Sequence, residues 1–582
     1  MASAGPPRYG SDVIVDLLAG LDIPYVALNP GASFRGLHDS LVNRPGAPEI
    51  ILCPHEKVAV QVAHGYAKAS GRLMAAVLHD TVGLLHGSLG IFGAYLDRTP
   101  VLVLGGAGPM DTARRRPWID WIHTSNIQGN AVRDFTKWDD QPASVAAMPE
   151  AFARARRVAV GEPAGPVYLG LDADLQEREL DGPIPDVEWA RFRPPSQLGA
   201  DPAALDAAAR ALAEAARPVI VAGYAGRDPR AFDWLPALAE LVAAAVVDGG
   251  DRLNIATGHD LNLTGSDAVT EADLVLLLDV KDASPILLEV DKTTRAARPR
   301  LAPGARVVDI GFNELQTSAW VHHHGQLLPT DLSVTADTSI VLPELIARVQ
   351  ALVSAETPAR AAERRARHRS LAERHARLRD GWAATAAERR GERPVSPPRL
   401  AAEIWDAIRD HDWVLTGGTA DGWTTRLWDV DRPYRHPGKS LGTATQIGIS
   451  LGVALAHRGS GRLVVDIQPD GDLLYDAAAL WVASANRIPM LVVMYNNRAY
   501  YNDWDHQIRL AEQRGSDPAR AEVGVAIESP APDFAALARS LDWSAEGPID
   551  DPDAVGDAVR RAVRVVLEEG RPALVDVVCQ HR

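Results

Sequence analysis

Short β-rich apolar runs alternate with helical patterns along nearly the whole chain, and that alternation leaves few folds open. "YVALNPG", "EIILCP", "RLMAAVLHD" and "PVLVLGG" read as strands. "SFRGLHDSLV", "HEKVAVQVAHGYAKASG" and "LLHGSLGIFGAYLDR" read as the helices between them. A helix between successive strands carries the chain back across the sheet, so the strands pair in parallel. The grammar recurs in "PVIVAGYAG", "ADLVLLLDV" and "ARVVDIGFN", and again in "DWVLTGG", "RLVVDIQPDG", "PMLVVMYNN" and "ALVDVVCQ". A chain of 582 residues exceeds what one core can organise. The pattern predicts an α/β protein of three doubly wound parallel-sheet domains, at residues 1–185, 197–355 and 396–582, with a connecting helix and linker over 356–395. The connecting stretch interleaves acidic residues with its arginines, which suits a solvated helix rather than a nucleic-acid patch.

Charge narrows the function. Lys and Arg total 60 against 76 Asp and Glu, a formal net charge of −16, which disfavours general nucleic-acid binding. No apolar run is long enough to span a bilayer, and "MASAGPPRYG" lacks the character of a signal peptide. The only two cysteines, Cys53 and Cys579, form no zinc spacing or disulfide framework, so a cytoplasmic location is expected.

Chemistry concentrates in "QPDGDLLYDAAALWVASANRIPMLVVMYNN". A buried strand ends at Asp470-Gly471-Asp472, a helix is expected next, and the following strand ends at Asn496-Asn497. Ligands of open parallel sheets bind at such strand ends, and helix N-termini hold phosphate oxygens. Magnesium takes one or two protein oxygens together with phosphate oxygens and water. Asp470 offers a carboxylate, and Asn497, 27 positions later, offers a side-chain carbonyl.

This stretch resembles the diphosphate-binding motif of thiamine diphosphate (ThDP) enzymes, closest to acetolactate synthase and benzoylformate decarboxylase. The resemblance implies that Asp470, Asn497 and the backbone carbonyl of Ala499 hold Mg2+, with Gly471 and Asp472 against the diphosphate. Asp472 remains open as an alternative metal ligand or as a brace for its surroundings. A second segment, "ILCPHEKVAVQVAHGYAKASGR", is similar to the family's catalytic-glutamate segment through Glu56, Gly65 and Tyr66. There the carboxylate of Glu56 is expected to favour the protonated aminopyrimidine, whose exocyclic nitrogen then removes the thiazolium C2 proton. His79 in "LHDTVG" matches an active-site histidine of the decarboxylase and is expected to move a proton. The first domain would then bind the pyrimidine and the third the diphosphate.

Three departures stand out. Pro469 occupies the first glycine position of the motif, and Ala32 stands where the decarboxylase has a serine, with the neighbouring Ser33 expected to point elsewhere. Thr443 falls where an apolar side chain usually wedges beneath the cofactor, with Leu441 as the substitute if the alignment slips. Tyr500, Trp504 and Arg509 lie in a segment expected to cover the site, and His322–His324 read as a loop or surface cluster.

The resemblance implies decarboxylation of a 2-oxo acid to an enamine captured by a carbonyl acceptor, as in acetolactate synthase. Simple decarboxylation is the alternative within enzymes, and a non-catalytic regulatory or assembly subunit the alternative outside them. The expected assembly is a homodimer or homotetramer with active sites shared between subunits. "LLLDVKDASP" lacks the character of a flavin site, and no flavin is assigned.

Overall fold

The first domain is built on six parallel strands, in the order 2-1-3-4-6-5 counted along the chain, from Tyr25–Leu28 to Val167–Asp172. The structure, a computed structural model, describes residues 5–315, 328–439 and 443–581. His322–His324 and Leu441 lie outside the described residues. The central sheet has five parallel strands in the order 2-1-3-4-5, between Pro218–Ala222 and Leu332–Thr335. The third also has five, in the order 1-2-3-5-4, between Trp413–Leu415 and Ala573–Val578. Three doubly wound parallel sheets are thus what the alternating grammar demanded. The strands Leu102–Ala107, Val167–Asp172, Leu491–Asn496 and Ala573–Val578 are buried at every position. Helices cover both faces of such sheets, which is why these strands read as continuous apolar runs.

Two expectations need correction. The helix expected after Asp472 is not continuous: Asp470–Tyr475 ends at Asp476, whose φ of −136° leaves the helical region, and Leu480–Ala485 resumes beyond a short 3₁₀ turn. The connecting stretch is one helix, Pro358–Glu388, but it is anchored as well as solvated. Arg367 donates to the carbonyls of Ala216 (2.7 Å) and Ala243 (2.9 Å), and the buried His375 sets Nδ1 2.7 Å from the Asn262 carbonyl. These contacts hold the helix against the central domain.

The first and third domains meet where the helices Glu56–Ser70 and Gln446–Ala456 cross. Backbone touches backbone there: a Cβ on Gly65 would stand 2.0 Å from the Ile449 carbonyl oxygen, and one on Gly452 2.2 Å from that of Val62. Apolar residues of both helices, among them Val58, Val62, Ile447 and Leu451, share one core cluster. The crossing therefore belongs to the hydrophobic interior and sets the separation of the two domains.

Candidate active site

Register explains how residues 27 apart in sequence come together. The strands Leu463–Pro469 and Leu491–Asn496 are parallel neighbours, with Pro469 opposite Tyr495. Asp470 and Asn497 therefore leave the sheet at the same carboxyl edge. The backbone N–H of Ala499 donates both to Asp470 Oδ2 (3.2 Å) and to Asn497 Oδ1 (3.1 Å), so the two side-chain oxygens converge on one point. Asp470 is 2% exposed, and burial pushes its carboxyl up to about 6 despite backbone N–H donors from Gly471 and Ala499. An all-oxygen set around a buried carboxylate is the donor chemistry that magnesium takes. Pro469 fits its place: it precedes the Asp470–Tyr475 helix with φ −66°, the value its ring imposes.

Asp472 is a brace here. Its carboxylate accepts from the N–H groups of Ala444 and Gln446 (3.2 Å for the latter) and from Gln468 Nε2 (3.2 Å), tying the turn to the start of the helix Gln446–Ala456. Thr443, one residue before that tie, is exposed. Beneath the turn lies Asp466, whose role the sequence did not suggest. It is fully buried and pushed up to about 6 by that burial, with Gln446 Nε2 (2.7 Å) and Thr416 Oγ1 (3.1 Å) donating to its Oδ1.

Glu56 opens its helix, capped by His55, whose Nδ1 accepts from the N–H of Lys57 at 3.1 Å. Its side chain is buried, with Oε2 3.2 Å from His86 Nδ1. The next residue, Lys57, reaches the third domain and forms a 2.9 Å ion pair with Asp476, both side chains largely buried. One turn on, Gln61 Nε2 donates to the Ala444 carbonyl (2.8 Å), the residue whose N–H binds Asp472. The Glu56 helix is thus tied, through Lys57 and Gln61, to the Asp476 and Ala444 segments of the third domain.

His79 ends the strand Ala75–Leu78 and caps the helix Asp80–Leu96. Ser33 does not point elsewhere: it is buried, with Oγ 2.8 Å from His79 Nδ1, and it accepts from the N–H of Asp80 at 3.2 Å. The 3₁₀ turn Ala32–Phe34 rotates the hydroxyl inward, a local geometry invisible in the sequence. His123, which sequence reasoning passed over, brings its ring within 4.9 Å of that of His79, centroid to centroid. "WIHT" carries no motif, and the helix Asp120–His123 has only four residues, so no periodicity marks it. Burial first, then the charge of neighbouring His123, lowers the pKa of His79 below its ordinary value. Burial raises Asp80 to about 6. Of the covering segment, Tyr500 lies over Gly471, where a Cβ would meet its ring at 2.5 Å. Trp504 packs edge-on to His581 at 5.1 Å, and Arg509 is engaged by Asp505 at 2.5 Å.

The chain is similar to known proteins in sequence and in fold. Residues 8–129 match the family model described as the N-terminal TPP binding domain of thiamine pyrophosphate enzymes, and residues 416–577 its C-terminal TPP binding domain. Acetolactate synthase 1, chloroplastic, of Oryza sativa subsp. japonica is 22% identical over 99% of this chain and 85% of its own length. Among solved structures, benzoylformate decarboxylase from Polynucleobacter necessarius has TM-score 0.76 at 18% identity, covering 99% of both chains. A thiamine diphosphate-dependent 4-hydroxybenzoylformate decarboxylase from Rhodococcus jostii has TM-score 0.75, also at 18% identity and with 99% of both chains covered.

Proposed function

The chain belongs to the thiamine pyrophosphate-dependent enzymes, and on that premise we propose that it decarboxylates a 2-oxo acid and joins the remaining acyl unit to a carbonyl acceptor, as acetolactate synthases do. The observation that carries the reading is the convergence of Asp470 Oδ2 and Asn497 Oδ1 on the N–H of Ala499, at 3.2 and 3.1 Å, inside the segment matched by the C-terminal TPP binding domain. When bound, ThDP supplies a nucleophilic carbon that adds to the 2-oxo carbonyl and accepts the electron pair left by CO2. Asp470, Asn497 and the carbonyl of Ala499 would hold Mg2+ and through it the diphosphate. Gly471, without a side chain, leaves room for the Tyr500 ring that packs on the turn, and its backbone would lie against the diphosphate. Glu56, buried and acceptor-only when ionised, would hold a proton on the aminopyrimidine ring. His79, held by Ser33 and with its pKa lowered by burial, would accept or return a proton beside the reacting carbon.

One observation favours a second reading, simple decarboxylation to an aldehyde. The pair His79 and His123 gives the site two adjacent proton carriers, which suits protonation of the product more than capture by an acceptor. Product analysis separates the two. Incubation with a panel of 2-oxo acids should release CO2, and an added acceptor aldehyde should divert product to a 2-hydroxy ketone under the first reading. Aldehyde alone, whatever the acceptor, establishes the second, and no CO2 from any acid refutes both.

Assembly and location are part of the proposal. Leu85, Leu89 and Phe92 stand exposed on the helix Asp80–Leu96 at i, i+4 and i+7, an apolar stripe that supports a homodimer or homotetramer. Among the described residues no helix is long and apolar enough to cross a membrane. Cys53 and Cys579 are buried free thiols, which supports a reducing, cytoplasmic setting.

A further inference from the structure

His79, Asp80 and His123 each offer one ligand atom, and these atoms lie within 4.8 Å of one another. His79 Nε2 lies 3.2 Å from Asp80 Oδ2, and His123 Nδ1 lies 4.0 Å from the same oxygen. Asp80 is 1% exposed, yet Oδ2 has no hydrogen-bond donor among the described residues, because the His79 nitrogen is close without being aligned for a hydrogen bond. Oδ1, by contrast, accepts from the N–H of Val82 at 3.0 Å. A buried carboxylate oxygen left unpaired costs free energy unless something else meets it.

The surroundings hold the three groups in place. Asp80 takes φ +23°, unusual for a residue with a Cβ, which keeps its side chain turned inward. The backbone of Gly31 lies on the His79 ring, since a Cβ there would be 2.4 Å from Cγ. Ser33 occupies Nδ1 of His79, and that contact orients the ring and leaves Nε2 for a ligand, the arrangement typical of metal-bound histidine. The nearby guanidinium of Arg116 is paired with Asp120 at 2.7 Å, so its charge is already answered.

We propose that His79 Nε2, Asp80 Oδ2 and His123 Nδ1 form a site for a divalent ion of the zinc class, separate from the all-oxygen magnesium set at Asp470, and that its occupancy withdraws His79 from proton transfer. Two imidazoles and one carboxylate suit borderline ions such as Zn2+ or Co2+, with bonds of about 2.0–2.2 Å. Ligand atoms at that radius in a tetrahedron are about 3.3 Å apart, close to the 3.2 Å of the His79–Asp80 pair; the His123–Asp80 pair at 4.0 Å and the His79–His123 pair, within 4.8 Å, reach it by side-chain movement. Magnesium, which prefers oxygen, does not compete there. The binding claim stands by itself, while the effect on turnover rests on the role given to His79 above.

Binding is tested on the full chain stripped by chelator, without ThDP, by calorimetric titration with Zn2+ and by the visible absorption of Co2+. One equivalent should bind, and Asp80→Asn and His123→Ala should each weaken it at least about 100-fold. His123→Cys should add a thiolate-to-cobalt charge-transfer band, a gain that misfolding cannot mimic, against a background of two buried thiols. His86→Ala should leave the affinity unchanged. Absence of stoichiometric binding, or its loss in His86→Ala but not in Asp80→Asn, overturns the assignment; the latter places the ion at His55, Glu56 and His86 instead. In a second arm, one equivalent of Zn2+ under excess Mg2+ and ThDP should lower CO2 release at least about tenfold. Binding without inhibition retains the site and overturns its link to His79.

Discussion

Asp470→Asn separates what this carboxylate costs the fold from what it does for the cofactor. Burial has moved the carboxyl from an ordinary 3.8 to about 6. The folded state therefore holds its proton where the unfolded state has released it, and stability falls as pH rises from about 4 to 6 and stays lost above. At about 1.4 kcal/mol for each tenfold, the metal-free protein carries about 3 kcal/mol of penalty at neutral pH. Between pH 4.5 and 7.5 the part that develops is about 2 kcal/mol. Asparagine removes the titration, at the cost of about 1 kcal/mol or more because an amide N–H2 faces the N–H of Ala499. Chemical denaturation of the metal-free proteins across that range should show the wild type losing about 2 kcal/mol more than the variant. Adding Mg2+ and ThDP at neutral pH should reverse the order. At a hundredfold over Kd the wild type gains about 2.7 kcal/mol, and the variant, without its anionic ligand, gains little. Parallel pH curves combined with equal cofactor stabilisation would refute both the burial argument and the metal assignment.

Three further outcomes follow from named contacts. Glu56→Gln keeps size but loses the charge, so hydrogen–deuterium exchange at C2 of bound ThDP, read by NMR after acid quench, should fall by orders of magnitude at unchanged occupancy; an unchanged rate at full occupancy removes Glu56 as activator. His79→Ala should slow CO2 release roughly 10²–10⁴-fold with ThDP retention intact, and wild-type rates on every working substrate would make the residue structural. Lys57→Met leaves Asp476 buried and unpaired, and should cost about 3 kcal/mol or more by chemical denaturation, with Asp476→Leu added to it restoring most of the loss; a stability change below about 0.5 kcal/mol would show that the pair does not hold the two domains.

Much of the fold was legible because its signals are local. The apolar runs at Leu102, Val167, Leu491 and Ala573 became strands buried on both faces, and the helices between them made those strands parallel. Asp470, Asn497 and Glu56 could be singled out because each stands at a strand end or a helix start. The helix expected after Asp472 was misread because its composition favours helix throughout, while Asp476 is drawn out of the helix into an ion pair with a residue over 400 positions away.

By itself, the sequence determined the three parallel sheets and the spacing that returns Asn497 beside Asp470, since strand length, crossover and register are properties of neighbouring residues. Only tertiary structure decided that Ser33 turns to His79, that His123 arrives beside it from another segment, and that Asp472 braces a distant helix. It likewise decided that Gly65 and Gly452 let two domains touch backbone to backbone. These are contacts between segments remote in sequence. Their geometry is set by close packing of the whole interior, which no local pattern of residues encodes.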